Sequence, residues 1–331
     1  MNPLIMRTGP PWKAETAVRM AARRIWRGKM LVTLDGHDKV QAAIQRLKSF
    51  EPEEGYYLAF SGGKDSQCIY HLCQMAGVKF DAHYSVVGVD PPELVQFIKD
   101  HYPDVKREIP HDADGKPITM WNLIPKKLMP PTRMVRYCCE KLKESGGVGR
   151  VTVTGVRWEE SVRRKNNQGV AVVQGASKKE KAEAENAKAK ILKNSIVLNN
   201  DNEESRRLVE TCYNKRKTLV NPIIDWEEED VWEFLNEVAK VPHCELYDRG
   251  YRRLGCIGYP MSGNQEAELS AYPAFRKAYL RAFDRMLKVR AVKGSRTDWK
   301  TPEEVMQWWL QKDTAEAQIE GQISMDELEG L

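Results

Sequence analysis

From Tyr56 onward the chain sets short apolar runs between segments of helical period. YYLAF (56–60) precedes a helical stretch from Asp65 to about Ala76, DAHYSVVGV (81–89) precedes PELVQFIKDHY (92–102), and VTVTGV occupies 151–156. Apolar runs of this length, bounded by turn residues and alternating with helical segments, predict strand, helix, strand, helix. Consecutive parallel strands need long crossovers, which such helices supply. The expected fold class is therefore α/β, a parallel twisted sheet with helices on both faces. After Leu219 the run LVNPIIDWEEEDVWEFLNEV offers Asp225 as an N-cap, with Glu228 three residues on, opening an acidic first helical turn. Residues 265–291 and 302–312 also read as helices and predict a smaller helical C-terminal unit.

Two further stretches differ from this pattern. Ala14–Gly28 places Val18, Ala21, Ile25 and Trp26 at near-helical spacing with arginines between them, a basic amphipathic helix. A targeting peptide is the rival reading, weakened by Glu15 and by Pro10–Pro11, since transit peptides are poor in acids. Residues 176–194 are low in apolar content and rich in Ala, Lys and Glu, which fits an exposed helical insertion or a mobile loop. The expected organisation is a basic helical segment over 1–50, a nucleotide-binding α/β domain over 51–240 carrying that insertion, and a helical unit with an acidic tail over 241–331.

Composition narrows the class. The chain has 331 residues, 30% charged and 41% hydrophobic, enough for a substantial core. It lacks the roughly 18 consecutive apolar residues of a membrane span, and its first 30 residues lack a secretory h-region, so no membrane partner and a cytoplasmic location are expected. An oligomer stays open. The net charge of +5 is unevenly spread: residues 1–30 carry seven Lys/Arg against one Glu, 163–193 nine against three, and 313–331 six acids and no base. Solvated surface explains such runs, and so does contact with nucleic acid. Seven cysteines at uneven spacing (Cys68, Cys73, Cys138, Cys139, Cys212, Cys244, Cys256) argue against a disulfide scaffold and for buried thiols or metal ligands. A zinc site using His243, Cys244 or Cys212 lacks the second closely spaced pair of a zinc signature.

The most specific chemistry lies in Ser61-Gly62-Gly63-Lys64-Asp65-Ser66, between the first apolar run and the first helical one. Two glycines let the backbone approach an anion, the helix N-terminus adds partial positive charge, and Ser61, Lys64 and Ser66 supply donors. The GxxxxGK[ST] spacing of a Walker A loop is absent, which disfavours a motor or GTPase.

SGGKDS after a strand resembles the PP-loop of the adenine nucleotide alpha-hydrolase superfamily. The remaining motifs resemble its phosphoadenylyl-sulfate (PAPS) reductase family: Val89-Asp90-Pro91-Pro92-Glu93, Pro131-Thr132-Arg133, Arg136-Tyr137-Cys138-Cys139, Thr154-Gly155-Val156-Arg157, Asn221-Pro222-Ile223 and Leu246-Tyr247-Asp248-Arg249-Gly250-Tyr251 up to Gly255-Cys256. The resemblance implies a site for ATP or for PAPS or adenylyl-sulfate made by Ser61, Gly62, Gly63, Lys64, Asp65 and Ser66. Lys64, Asp65 and Arg157 would be catalytic, Arg157, Arg133 and Arg136 would be cations for phosphate or sulfate, and Asp65 or Asp90 would be a ligand of Mg²⁺. It also implies a 4Fe-4S cluster on Cys138, Cys139 and Cys256, although Tyr259 stands where the family's pattern has its fourth cysteine. The family's reductases use a C-terminal redox cysteine, and no cysteine follows Cys256 here. WNLIP (121–125) to RYCCEKLKE (136–144) is also similar to the ATP pyrophosphatases of DNA phosphorothioation. The expected activity is therefore adenylation by ATP with pyrophosphate release, serving sulfur transfer to a nucleic acid or small molecule, with a sulfur donor such as a cysteine desulfurase. Reduction of PAPS or adenylyl-sulfate to sulfite, and a nucleotide-sensing or scaffold subunit, are the alternatives.

Overall fold

The computed structural model describes residues 31–32, 36, 38–186, 189–212 and 217–311. The basic helix expected at 14–28 and the acidic tail lie outside the described residues. Helix α1 (Lys39–Ser49) starts at Asp38, whose carboxylate accepts the N–H of Val40, and it buries Val40, Ala43, Ile44 and Leu47. Strand β1 (Tyr56–Ala59) buries alternate residues, Tyr56 and Leu58, and the Tyr56 hydroxyl donates to the Leu47 carbonyl at 2.7 Å. Helix α2 (Lys64–Ala76) follows and ends at Gly77, which takes the left-handed φ of 70° that a helix stop of this kind requires. Next come β2 (Phe80–Ser85), α3 (Pro92–His101), β3 (Lys106–Glu108), α4 (Met120–Lys127), α5 (Tyr137–Leu142), β4 (Val151–Val153) and α6 (Val162–Asn167).

The sheet runs in the order β3-β2-β1-β4-β8-β5-β7-β6. Here β5 spans Ala171–Gln174, β6 Lys190–Ile191, β7 Ser195–Leu198 and β8 Thr218–Val220. β1 pairs in parallel with β2 and β4, and β4 in parallel with β8. Beyond β8 the ladder turns antiparallel, β5 against β8 and β7, and β6 against β7. The expected parallel sheet is thus its central part. β5 already runs against β8 after the connection from β4 through α6, and the segment from 175 to 194, which carries α7 (Lys178–Asn186), returns the chain beside β5 as β7, with the Gly175 N–H bonded to the Asn194 carbonyl.

After α8 (Glu203–Cys212) and β8, helix α9 (Glu228–Glu233) corrects one expectation. Its N-cap is Glu227, with Asp230 at the third helical position, and the chain continues as a wider π turn over Phe234–Val238. Asp225 is held instead by Arg46, at 2.7 and 2.8 Å. The helix expected over 265–291 is two, α10 (Gln265–Ala271) and α11 (Pro273–Val292), because Pro273 starts a new helix; α12 spans Pro302–Leu310.

These elements form two compact units interleaved along the chain. The first comprises the described residues up to His83, Gln96–Lys106 and those from Gly147 to Leu254; the second comprises Tyr84–Val95, Arg107–Gly146 and the described residues from Gly255 on. The first unit centres on Tyr56, Leu58, Ile69, Leu72, Trp226 and Phe234, all fully buried. The second packs Val89, Ile257, Tyr279, Phe283, Met286 and Trp309 together. The polar tips of its aromatics are satisfied: Tyr279 donates to the Ile257 carbonyl and Trp309 to that of Pro131.

Candidate functional site

In the first unit the chain leaves β1 through Ser61–Gly63 into α2, and leaves β4 through Thr154–Arg157. β1 and β4 are neighbours, with β2 on the far side of β1, so strand order reverses between them. Open α/β sheets bind ligands at such a reversal, beyond the carboxyl ends of the strands. Gly62 has a φ of 71°, a left-handed conformation that glycine adopts without strain. The Gln67 amide donates to the Gly62 carbonyl at 3.1 Å and the Ser66 hydroxyl to the Gly63 carbonyl at 2.8 Å. These two bonds fix the peptide orientations that a phosphate-binding turn needs. Ser61 lies 3.2 Å from Ser66, oxygen to oxygen, and weakly accepts the Gly63 N–H at 3.4 Å.

Lys64 is buried, and its charge is matched within this unit. Its Nζ donates to the Arg252 carbonyl at 3.2 Å and lies 3.4 Å from Glu228 and 3.9 Å from Asp65. Its backbone N–H, at the start of α2, donates to the Tyr247 hydroxyl at 2.9 Å. Arg157 is buried too. Its Nε donates to Asp65 at 2.7 Å, and its Nη1 donates to Glu159 at 2.6 Å and to the Trp226 carbonyl at 3.3 Å. Burial works against its charge, but Asp65 and Glu159 more than offset that and raise its pKa. The expected cation for phosphate thus stands beside the loop with two carboxylates already on it.

The structure brings Ser61, Gly62, Gly63, Lys64, Asp65, Ser66 and Arg157 into one place. The TGVR motif by itself assigns no role to Gly155. A Cβ there would lie 2.9 Å from the backbone of Asp65, so the close approach of the β4 exit to the first turn of α2 requires glycine. Tyr247, Glu159 and Glu228 were also missed as neighbours of the loop. Only Tyr247 left a signal, in the LYDRGY motif.

Asp90, Arg133, Arg136 and the three cysteines belong to the second unit. The Tyr84 hydroxyl donates to Asp90 Oδ2 at 2.5 Å, while Oδ1 is buried without a hydrogen bond, 3.6 Å from Lys143 Nζ. Burial opposes the Lys143 charge, but Asp90 and Cys256 keep its pKa raised. Burial pushes the Cys256 thiol up to about 11, against the pull of Lys143. Arg133 donates to the Pro260 carbonyl at 3.2 Å, and Arg136 to the Tyr259 hydroxyl at 3.4 Å. Cys138 hydrogen-bonds Cys139 and so holds the Cys139 thiol below its usual range, with Tyr259 (3.8 Å from its sulfur) and Arg136 adding to the effect.

A cluster needs thiolates converging on one point, usually four of them. Among the described residues no group of three or more His, Cys, Asp or Glu side chains is placed to hold a metal ion. The three thiols interact with one another and with Tyr259 and Lys143, and no fourth thiol stands with them among the described residues. This donor set does not fit a four-thiolate cluster. Magnesium is less demanding, since it commonly takes one or two carboxylates beside substrate phosphates; Asp65, at the loop, meets that requirement, whereas Asp90 is closed in by Tyr84.

The family model of the phosphoadenosine phosphosulfate reductase domain matches residues 55–262. The chain belongs to that family. Among solved structures it is similar to FMN adenylyltransferase of Candida glabrata in complex with FMN and an ATP analogue: 14% identity, 74% of this chain and 70% of that one, TM-score 0.40. It is also similar to the phosphoadenylyl-sulfate reductase of Candida auris in its phosphate complex: 13% identity, 69% and 98% coverage, TM-score 0.39. Among the described residues no helix is long and apolar enough to cross a membrane.

Proposed function

We propose that the first unit binds the phosphates of ATP at Ser61–Ser66 and promotes attack at the alpha-phosphate, releasing pyrophosphate and adenylating an acceptor for sulfur transfer. The observation that carries this reading is the SGGKDS loop at the β1/β4 reversal, with its carbonyls pinned by Ser66 and Gln67 and the Asp65–Arg157 pair beside it. Backbone N–H groups at a helix start and the Lys64 ammonium oppose the charge that grows on a leaving pyrophosphate. Asp65 would hold Mg²⁺, which supplies further charge neutralisation at the phosphates. Arg157 orients Asp65 through its Nε bond and exchanges part of its carboxylate contact for phosphate.

Reduction of an adenylyl-sulfate requires a thiolate to attack sulfur. In the first unit Cys68, Cys73 and Cys244 are buried, and burial raises the pKa of Cys68 and Cys73, so these thiols are poor nucleophiles. The three thiols of the second unit fall short of a cluster's ligand set, and the reading routes nothing through iron. A nucleic-acid acceptor draws support from the basic runs, although two lysines of the 176–194 segment already serve backbone carbonyls, Lys181 that of Lys193 and Lys190 that of Asn166. Assaying the full chain for pyrophosphate from ATP and for sulfite from PAPS tests the proposal. Pyrophosphate without sulfite is the expected result; sulfite from PAPS would assign reduction, and nucleotide binding with neither product a sensing role.

A further inference from the structure

The LYDRGY motif lies in a chain of turns from Cys244 to Gly250, closed by the Tyr247 N–H to the Cys244 carbonyl, the Gly250 N–H to the Tyr247 carbonyl and the Tyr251 N–H to the Leu246 carbonyl. This segment is fastened to the phosphate loop at two points. The Tyr247 hydroxyl accepts the Lys64 backbone N–H at 2.9 Å, and the Arg252 carbonyl accepts the Lys64 ammonium at 3.2 Å. The same hydroxyl comes within 3.5 Å of where a Cβ on Gly63 would stand, so it sits directly over the glycine turn. The ring is edge-on against Trp232 at 4.9 Å, and the Lys64 Nζ lies 5.7 Å from its centroid.

A phenol oxygen on the first N–H of α2 stands where a loop of this kind presents that donor to an anion. One N–H directed at one acceptor cannot serve both. Burial and the charge of Asp65 raise the Tyr247 pKa, so the phenol is neutral at physiological pH and is a weaker acceptor than a phosphate oxygen.

Resting on the nucleotide-binding reading above, we propose that Tyr247 is a resident competitor for the phosphate site. Its hydroxyl holds the Lys64 N–H that a phosphate oxygen takes on binding, and loading the site requires the 244–253 segment to release that bond. Tyr247 is then a positioning residue that sets the phosphate affinity of the loop from within the protein. The anion can displace it because a charged acceptor outcompetes a neutral one for the same donor. A neutral ligand cannot, so the device favours phosphate-bearing ligands over the bare nucleoside.

The test is Tyr247→Phe in the full chain, which keeps the ring against Trp232 and removes only the competing oxygen. Titration with inorganic pyrophosphate and with ATP is expected to give a Kd about three- to tenfold tighter than the parent's, the scale of one hydrogen bond. Without ligand the variant is expected to melt about 1–3 °C lower, because the same bond then no longer fastens the segment. A residue that merely supports the fold would lower the melting point and leave affinity unchanged or weaker. Equal or weaker binding by Tyr247→Phe, with the parent binding ATP, overturns the competitor role and leaves the nucleotide site standing. A parent that binds neither ATP nor pyrophosphate overturns both. Tyr251→Phe is the control; if it tightens binding equally, the effect is not specific to the Lys64 N–H and the proposal fails.

Discussion

Two carboxylates beside cations, one in each unit, show how similar pairs come to different uses. Asp65 keeps 27% of its side chain exposed and is held by Arg157 at 2.7 Å; Asp90 keeps 3%, with Tyr84 at 2.5 Å and Lys143 at 3.6 Å. A partly solvated carboxylate can exchange its cation for a metal ion or substrate at modest cost, because water reaches it and Glu159 stays on the buried Arg157. A nearly closed one cannot, since breaking a buried pair leaves an uncompensated charge. Asp65 is therefore the carboxylate the proposed function assigns to the loop, while Asp90 is held by Tyr84 and Lys143 within its own unit.

The loop side of that comparison breaks hardest at Gly62. Valine at a φ of 71° meets steric resistance that a β-branched side chain makes worse, and it fills the space an anion needs. Gly62→Val is expected to abolish ATP binding by calorimetry while circular dichroism keeps the parent's signature. Unchanged affinity would remove the phosphate site.

Asp90→Asn probes the other side. It discards the charge facing Lys143 and weakens the bond from Tyr84, so a loss of about 2–4 kcal/mol in a urea melt is expected, with nucleotide affinity retained. A variant of parent stability that has lost Mg²⁺-dependent turnover would reverse the comparison and make Asp90 the functional acid.

How much of this was legible follows from what carries each feature. The strand–loop–helix at 56–76 was legible because alternation, paired glycines and a following helical stripe all depend on backbone geometry. The antiparallel edge was not: AVVQ and SIVL are four-residue strands, and nothing local in them sets the direction of a partner. Asp225 reads as an N-cap from spacing alone, and only the fold brings Arg46 across 179 residues to claim it. The engagement of Arg157 by carboxylates was hidden for the same reason: one of its partners, Asp65, is 92 residues away. Cys138, Cys139 and Cys256 announce a ligand set by type, whereas whether thiols converge is decided by packing.

Gly155→Ala sharpens the loop side further. Its Cβ would stand 2.9 Å from the carbonyl carbon, oxygen and Cβ of Asp65, most of it backbone, so the first turn of α2 has to shift. Overpacking of this kind costs about 1–3 kcal/mol. The variant is expected to melt lower and to bind ATP several-fold more weakly, because the displaced turn carries Lys64 and Asp65. Parent-like affinity would mean that the loop tolerates the shift and that Arg157, not the packing at Gly155, fixes Asp65.

The smallest effect concerns a third carboxylate, as exposed as Asp65 but away from the loop. Asp225 keeps 28% of its side chain exposed and is gripped at two points by Arg46. Burial acts to raise its pKa, but the Arg46 guanidinium overcomes that and holds the carboxyl below the usual aspartate range. A folded-state pKa lower than the unfolded one adds stability at pH values above the unfolded pKa, and that stability is lost as pH falls through the folded value. The unfolded value is about 3.9, so the contribution is complete at neutral pH and declines below about pH 4. Arg46→Met keeps most of the aliphatic stem and removes the grip. It is expected to lower stability by about 1 kcal/mol at pH 7, discounted for solvent, and to flatten the acid limb of the unfolding profile below pH 4. An acid limb as steep as the parent's would show that Arg46 does not set the Asp225 titration, and that partial exposure here makes an ion pair as dispensable as one on the open surface.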